Sequence, residues 1–99
     1  MTLTVLHEAD IEFSESVIHY EAKEPGLGER FRNEVAETVE CIQRNPEVPR
    51  LRAKRYRRVN LSIFSHYIAY IIRADEIWSV AIAHSHRRPE FWLPRLRTL

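Results

Sequence analysis

The chain has 99 residues, a hydrophobic fraction of 44% and a formal net charge of +1, which is typical of one small globular domain and not of a disordered chain. No apolar run approaches the roughly 20 residues of a membrane-spanning helix, and charges from His7-Glu8 onward are not typical of a secretory signal peptide. A single cysteine, Cys41, excludes an internal disulfide, so the sequence predicts one domain, residues 1–99, in the reducing cytoplasm and without a membrane partner.

The N-terminal half is predicted to form a strand and two helices. Residues 2–6 are rich in β-favouring side chains and predict a short strand. Apolar residues then recur at helical spacing in two stretches, separated by the helix-breaking sequence Pro25-Gly26-Leu27-Gly28. The second helix must end near Asn45, because Pro46 disfavours helical backbone in the residue before it. The two apolar stripes are Ala9, Phe13, Val17 and Tyr20, then Phe31, Val35, Thr38, Val39 and Ile42. So short a turn predicts an antiparallel helical hairpin, and Cys41, on the apolar face of its second helix, is expected to be buried.

The C-terminal half changes to the two-residue period of strands. Residues 56–59, 63–73 and 77–84 predict three strands, the last two joined by the tight turn Ala74-Asp75-Glu76. The element order is β-α-α-β-β-β, which predicts an α+β fold with a helical hairpin packed on a mostly antiparallel sheet. The interface between helices and sheet is predicted to contain Phe13, Val17, Tyr20, Phe31, Val35, Ile42, Ile68, Tyr70, Val80 and Ile82.

Charge is divided unevenly along the chain. Residues 1–40 hold ten acidic and three basic residues, a net charge of −7, whereas residues 41–99 hold four acidic and twelve basic residues, a net charge of +8. This asymmetry predicts one acidic and one basic surface. Either the two surfaces attract each other as solvated faces, or the basic half meets an anionic partner such as nucleic acid or an acidic protein segment.

Few residues suggest a metal site or a cofactor. If the last strand extends that far, His84-Ser85-His86 places two imidazoles on one face of it, but two ligands are too few for a closed zinc site. The chain has only two glycines and no glycine-rich phosphate loop. The acidic residues of the helices are interpreted as solvated outer charges. We therefore expect no metal and no cofactor.

The basic residues that lead into the predicted sheet and those that follow its last strand form the strongest candidate site. Arginine forks suit phosphate and carboxylate groups, and exposed aromatic rings stack on bases or anchor a protein partner. The alternative is that the arginines cap the edges of the sheet and that Trp92 seals the core. The candidate target-binding residues are Arg57, Arg58, Arg87, Arg88, Phe91 and Trp92.

Taken in order, several short motifs resemble the RelE/ParE superfamily of type II toxin–antitoxin toxins, and most closely its ParE-like, plasmid-stabilisation branch. One departure is Phe64-Ser65-His66, where the family often has Phe-Pro-Tyr. The resemblance covers nearly the whole chain. Its motifs are Ala9-x-x-x-Phe13 through Tyr20-Glu21, Gly26-Leu27-Gly28-x-x-Phe31, Ile42-x-x-x-Pro46, Tyr56-Arg57-Arg58, Phe64-x-x-x-Ile68-x-Tyr70, and Val80-x-x-x-His84-x-x-Arg87-Arg88-Pro89-x-Phe91-Trp92-x-x-Arg95.

This resemblance implies a toxin that a cognate antitoxin, encoded beside it, neutralises. ParE-like members inhibit DNA gyrase, whereas RelE-like members cut messenger RNA on the ribosome. The RelE chemistry needs cations around a phosphate and a group that moves protons. Here Lys54, Arg58 and Arg88 would supply the cations and His84 the proton transfer, which makes Arg58, His84 and Arg88 the catalytic candidates of a nuclease. No tyrosine lies near the C-terminus, so gyrase inhibition is the favoured hypothesis. A nuclease and a non-toxic nucleic-acid-binding module are the alternatives.

Overall fold

A computed structural model describes all residues, 1–99. The chain forms β1 (Thr2–Val5), α1 (His7–Lys23), α2 (Leu27–Arg44), β2 (Arg57–Asn60), β3 (His66–Arg73) and β4 (Glu76–His84), followed by two short 3₁₀ helices, Pro89–Phe91 and Leu93–Thr98. The predicted order β-α-α-β-β-β is confirmed. Neither helix is long and apolar enough to cross a bilayer.

The four strands form one mixed sheet in the order β1-β4-β3-β2. The β2–β3 and β3–β4 pairs are antiparallel, and only β1 runs parallel to its neighbour β4, so the prediction of a mostly antiparallel sheet is confirmed. The predicted strand over residues 63–73 is too long. Residues 61–65 form the loop between β2 and β3 instead. The carboxylate of Glu34 in α2 holds this loop by accepting hydrogen bonds from the backbone N–H groups of Ser62 and Ile63.

The turn between α1 and α2 requires both glycines of the chain. Gly26 has a φ of +91°, which side chains with a Cβ rarely adopt. A Cβ on Gly28 would lie 2.7 Å from the backbone oxygen of Val17, closer than packed atoms tolerate. The N–H groups of both glycines donate to the carboxylate of Glu21. The hairpin is therefore closed by close backbone contact as well as by its apolar stripes.

The helical hairpin buries one face of the sheet. Phe31 is at its centre with 0% exposure, and its ring lies 5.1 Å from that of Tyr20 and 5.2 Å from that of Phe64. Cys41 is exposed, which corrects the expectation of a buried thiol. Helical geometry turns Cys41 about 100° away from Ile42, and it is Ile42 that faces the sheet. The buried residues of this cluster are Ala9, Tyr20, Phe31, Val35, Ile42, Leu61, Phe64, Ile68, Tyr70, Ile77 and Ile82.

A β-bulge in β4 changes which residues face the helices. Ala81 pairs with Ala69 and Ser79 pairs with Tyr70, so Val80 between them has no partner on β3. The extra residue reverses the alternation of side chains. Val80 therefore packs on the far face of the sheet, and its predicted place in the interface with the helices is wrong.

A C-terminal segment (residues 89–99) covers the far face of the sheet. Trp92 has 0% exposure and its ring packs edge-on against Tyr56, with centroids 4.7 Å apart. Leu93, Leu96 and Leu99 pack against the same cluster. Since both faces of β3 and β4 are covered, these strands are almost continuously apolar.

Candidate functional site

Arg57 and Arg58 lie on opposite faces of the sheet. Arg57 pairs with Tyr70, on the helix side, and its Nε donates to the Pro49 carbonyl over 2.9 Å. Arg58 lies on the far face, with its guanidinium 3.9 Å above the ring of Tyr67. Its Nε and Nη2 donate to the Asn60 side-chain oxygen over 3.1 and 3.0 Å. Both arginines are half-buried and held by these contacts. Because they lie on opposite faces of the sheet, they do not form one continuous basic patch.

Tyr67 connects Arg58 to the start of the C-terminal segment. Its hydroxyl accepts the Nε1–H of Trp92 over 2.7 Å and donates to the Arg87 carbonyl over 3.0 Å. Burial raises the pKa of Tyr67 above its usual 10, so it stays a neutral phenol. Trp92, interpreted from the sequence as a target-binding residue, is buried in this network. The observation favours the alternative that Trp92 seals the core, because the indole is 0% exposed and its one polar atom already has a partner.

The exposed part of the predicted site is a basic loop (residues 85–91). Arg87, Arg88 and Phe91 are all exposed. The Arg87 guanidinium lies 4.3 Å from the centre of the Phe91 ring, a distance at which cation–π attraction orders both side chains. The loop begins directly after β4 and ends at the buried Trp92. Its backbone is therefore held at both ends while its cationic side chains remain in solvent.

An ion pair that the sequence did not reveal clamps the C-terminal segment to α1. Arg95 Nη2 lies 2.9 Å from Glu12 Oε2, and the two side chains are only 14% and 19% exposed. Glu12 Oε1 also accepts the N–H of Ile82, and Arg95 Nη1 donates to the carbonyl of Val80. Glu12 is thus not the solvated helix charge that was expected, and Arg95 is not part of the free basic surface. Their separation of 83 positions offers no local sequence signal.

Beside the basic loop, a cleft of about 380 Å³ separates α1 from the end of β4, and we call it the histidine cleft. His66 forms its inner wall. The ring nitrogens of His66 are hydrogen-bonded to Tyr20 Oη over 3.1 Å and to Ser16 Oγ over 3.2 Å. Its ring lies 5.3 Å from that of His84, which in turn stacks on His86 at 4.8 Å. The lining residues are Glu12, Glu15, Ser16, His19, His66, Ile82, Ala83, His84, Arg87 and Phe91.

Two histidines of this cleft, His66 and His84, have lowered pKa values. Burial, with repulsion from His84 and His19, lowers the pKa of His66 from 6.5 to about 4. Burial, with repulsion from nearby cations, also lowers the pKa of His84 below 6.5. The structure contains no group of three or more histidine, cysteine or carboxylate side chains arranged to hold a metal ion.

The buried His66 predicts a loss of stability in mild acid. Its folded pKa lies below the unfolded value, so the unfolded chain binds the extra proton between pH 6.5 and 4. The free energy of unfolding is therefore highest above pH 6.5. It falls by roughly 3 kcal/mol as the pH drops toward 4. Urea unfolding at a series of pH values measures this slope. His66→Gln keeps a hydrogen-bonding side chain but does not titrate, so it should flatten the slope. His7→Gln, at an exposed site, should not.

The structure separates the three catalytic candidates of the nuclease hypothesis. His84 pairs with His66 and faces the histidine cleft on the helix side. Arg58 stacks on Tyr67 on the far face. Arg88 lies exposed in the basic loop. A phosphate held by Arg58 would have the sheet between it and the imidazole of His84.

A helical hairpin on a mixed four-stranded sheet, in the order β-α-α-β-β-β, is the fold of the RelE/ParE toxins. The sequence matches the family described as "ParE toxin of type II toxin-antitoxin system, parDE" over residues 4–89. The chain therefore belongs to the ParE toxin family, which confirms the resemblance drawn from its motifs. Trp92 and Arg95 lie beyond the matched region.

Comparison of structures agrees with this assignment. A solved structure described as the chromosomal ParDE TA system from P. aeruginosa is similar to the chain, with a TM-score of 0.75 and 18% sequence identity. The match covers 85% of this chain and 95% of that chain. At this identity the likeness establishes the fold alone. No curated protein matches the sequence.

Proposed function

We propose that the protein is a toxin that stops growth by inhibiting DNA gyrase and that a cognate antitoxin, encoded beside it, neutralises it. Membership of the ParE family supports the toxin class and an antitoxin partner. The observation that carries the choice of target is the basic loop, with Arg87, Arg88 and Phe91 exposed on a backbone held by Tyr67 and Trp92. Cationic and aromatic side chains on a rigid base are typical anchors of a protein–protein contact.

RNA cleavage is less well supported by the same geometry. Arg58 and His84 lie on opposite faces of the sheet. The hydrogen bond of the His84 imidazole is to the backbone N–H of His86 and not to a cationic side chain. Arg58 stacks on Tyr67, whose hydroxyl is occupied by Trp92 and the Arg87 carbonyl. Burial raises its pKa, so it is poorly suited to moving a proton near pH 7. A nuclease would need these groups to rearrange on the ribosome.

The antitoxin is proposed to be an acidic segment that folds on this domain. The C-terminal half carries a net charge of +8, and β2 lies at an edge of the sheet with one side unpaired. A preformed scaffold of this kind can order a disordered partner chain. Neutralisation is expected when that segment covers the basic loop or its surroundings.

The double substitution Arg87→Ala with Arg88→Ala is expected to abolish toxicity without unfolding the domain. Both side chains are exposed, and neither donates a side-chain hydrogen bond within the protein. Expression of the wild type without antitoxin should stop growth and cause filamentation and DNA damage signalling, with bulk messenger RNA intact. Purified toxin should inhibit gyrase supercoiling, and the double variant should not. Arg73→Ala, at the exposed far end of β3, is the matched control and should remain toxic.

The alternatives predict different results in the same experiments. Codon-phased cuts in ribosome-bound messenger RNA, with supercoiling untouched, would reverse the choice of target and make Arg58, His84 and Arg88 the first residues to test. A non-toxic nucleic-acid-binding module would bind DNA or RNA by itself, with an affinity that falls steeply as salt rises. Growth that continues after induction of the folded wild type would contradict the toxin assignment.

A further inference from the structure

The histidine cleft presents hydrogen-bond donors that have no acceptor within the protein. The Nδ1 atom of His84 accepts the backbone N–H of His86 over 3.2 Å, so the neutral ring carries its proton on Nε2. A protonated Nε2 cannot donate a lone pair to a metal ion, but it can bind an oxygen acceptor. The guanidinium of Arg87 only stacks on Phe91 and has all its N–H donors free. The cleft is therefore built for an acceptor ligand and not for a cation.

The charges around the cleft favour a single carboxylate over a nucleic acid. The carboxylate of Glu12 is neutralised by Arg95, which leaves the positive charge of Arg87 and the Nε2–H of His84 to act on a ligand. Glu15 lines the same cleft, and α1 carries further acidic residues, so a chain of phosphates would meet repulsion along the helix. Ile82 and the half-exposed ring of Phe91 supply an apolar wall. The matching ligand has one negative charge beside an apolar group.

We infer that the histidine cleft receives a carboxylate side chain of the antitoxin, bound by the Nε2–H of His84 and the guanidinium of Arg87, with a neighbouring apolar side chain against Phe91. This inference rests on the proposed neutralisation by an antitoxin. It adds a physical means of neutralisation, because a carboxylate in the cleft engages the same Arg87 that the basic loop offers to gyrase. Antitoxin and gyrase would then compete for one side chain.

Binding in the cleft should be linked to proton uptake. A carboxylate hydrogen-bonded to His84 favours the charged form of that imidazole and raises its pKa in the complex. The antitoxin should therefore bind more tightly as the pH falls from about 7.5 to 6, by up to about tenfold per pH unit for each proton taken up. The titratable and charged groups around His84 are Glu12, Glu15, His19, Lys23, His66, His86 and Arg87, and the charge of Glu12 is already paired with Arg95.

The test measures binding of the purified toxin to the protein encoded by the adjacent small gene, by calorimetry at several pH values. His84→Phe keeps an aromatic ring without the N–H, and Arg87→Met keeps the apolar stem without the charge. Each should weaken binding about tenfold or more. His84→Gln retains a donor and should restore most of the affinity. The matched controls His7→Phe and Arg73→Met, both at exposed sites, should bind as the wild type does.

A second set of measurements identifies the ligand. Each Asp and Glu of the antitoxin is changed to its amide, and one of these changes should show strong coupling with Arg87→Met in a double-mutant cycle. A complex that forms with wild-type affinity in His84→Phe and Arg87→Met would overturn this inference and leave the proposed function intact. If the protein encoded by the adjacent gene does not bind at all, both this inference and the proposed neutralisation by that antitoxin are overturned. Inorganic phosphate or a single-stranded RNA that competes for the cleft in a His84-dependent way would make the ligand a phosphate and overturn the assignment to a carboxylate.

Discussion

Replacing Phe31 by alanine is expected to lower the free energy of unfolding by about 3–5 kcal/mol. Phe31 has 0% exposure and lies between Tyr20, Phe64 and the ring of His66. Truncation leaves a cavity where α1, α2 and the sheet meet, and three aromatic rings lose an edge-on or tilted partner. Small domains are stable by only about 5–15 kcal/mol, so the loss takes a large share of the total. Urea unfolding followed by circular dichroism measures it.

Ile18→Ala is the matched control, because Ile18 is 69% exposed on the outer side of α1. It should change the free energy of unfolding by about 0.5 kcal/mol or less. A midpoint for Phe31→Ala as close to wild type as that of Ile18→Ala would show that the apolar face of α2 is assigned wrongly.

The second large effect is expected on the far face of the sheet, where Trp92→Ala should also cost about 3–5 kcal/mol. The indole packs against Tyr56 and is hydrogen-bonded to Tyr67. Its removal opens the far face to water and leaves the buried hydroxyl of Tyr67 with one partner fewer. The basic loop also loses the anchor at its C-terminal end. Thermal unfolding and intrinsic fluorescence report the change.

Phe91→Ala, one position away, separates packing from surface contact. Phe91 is 49% exposed, and loss of its stacking with Arg87 should cost about 1 kcal/mol or less. Phe91→Ala should nevertheless lose toxicity while the domain stays folded, with a melting temperature within a few degrees of wild type. Equal losses of stability for Trp92→Ala and Phe91→Ala would contradict the buried position of the indole.

The order of the elements and most of the core could be predicted from the sequence. Apolar residues at helical spacing identified the faces of α1 and α2, and Pro46 marked the end of α2, because periodicity and backbone sterics are local properties. The family could also be recognised, since its motifs follow one another at set spacings along the chain. Arg87 and Arg88 are exposed, as charged side chains in a loop generally are.

Other features were decided only by the tertiary structure. The bulge at Val80 reversed the facing of β4, and strand period alone cannot reveal an unpaired residue. Glu12 and Arg95 meet across 83 positions, and their pairing turns a predicted surface charge into a clamp. A tryptophan at position 92 gives the same sequence pattern whether it binds a partner or seals the core.

The candidate site shows the same division. The sequence by itself determined that a basic, aromatic stretch follows the last strand; the shared strand face expected for His84 and His86 did not form, because β4 ends at His84. Only folding placed Arg58 behind the sheet, brought Ser16, Tyr20 and His66 together, and formed the histidine cleft. The physical reason is that these contacts join residues far apart in sequence, so they depend on strand register and helix packing and leave no local pattern.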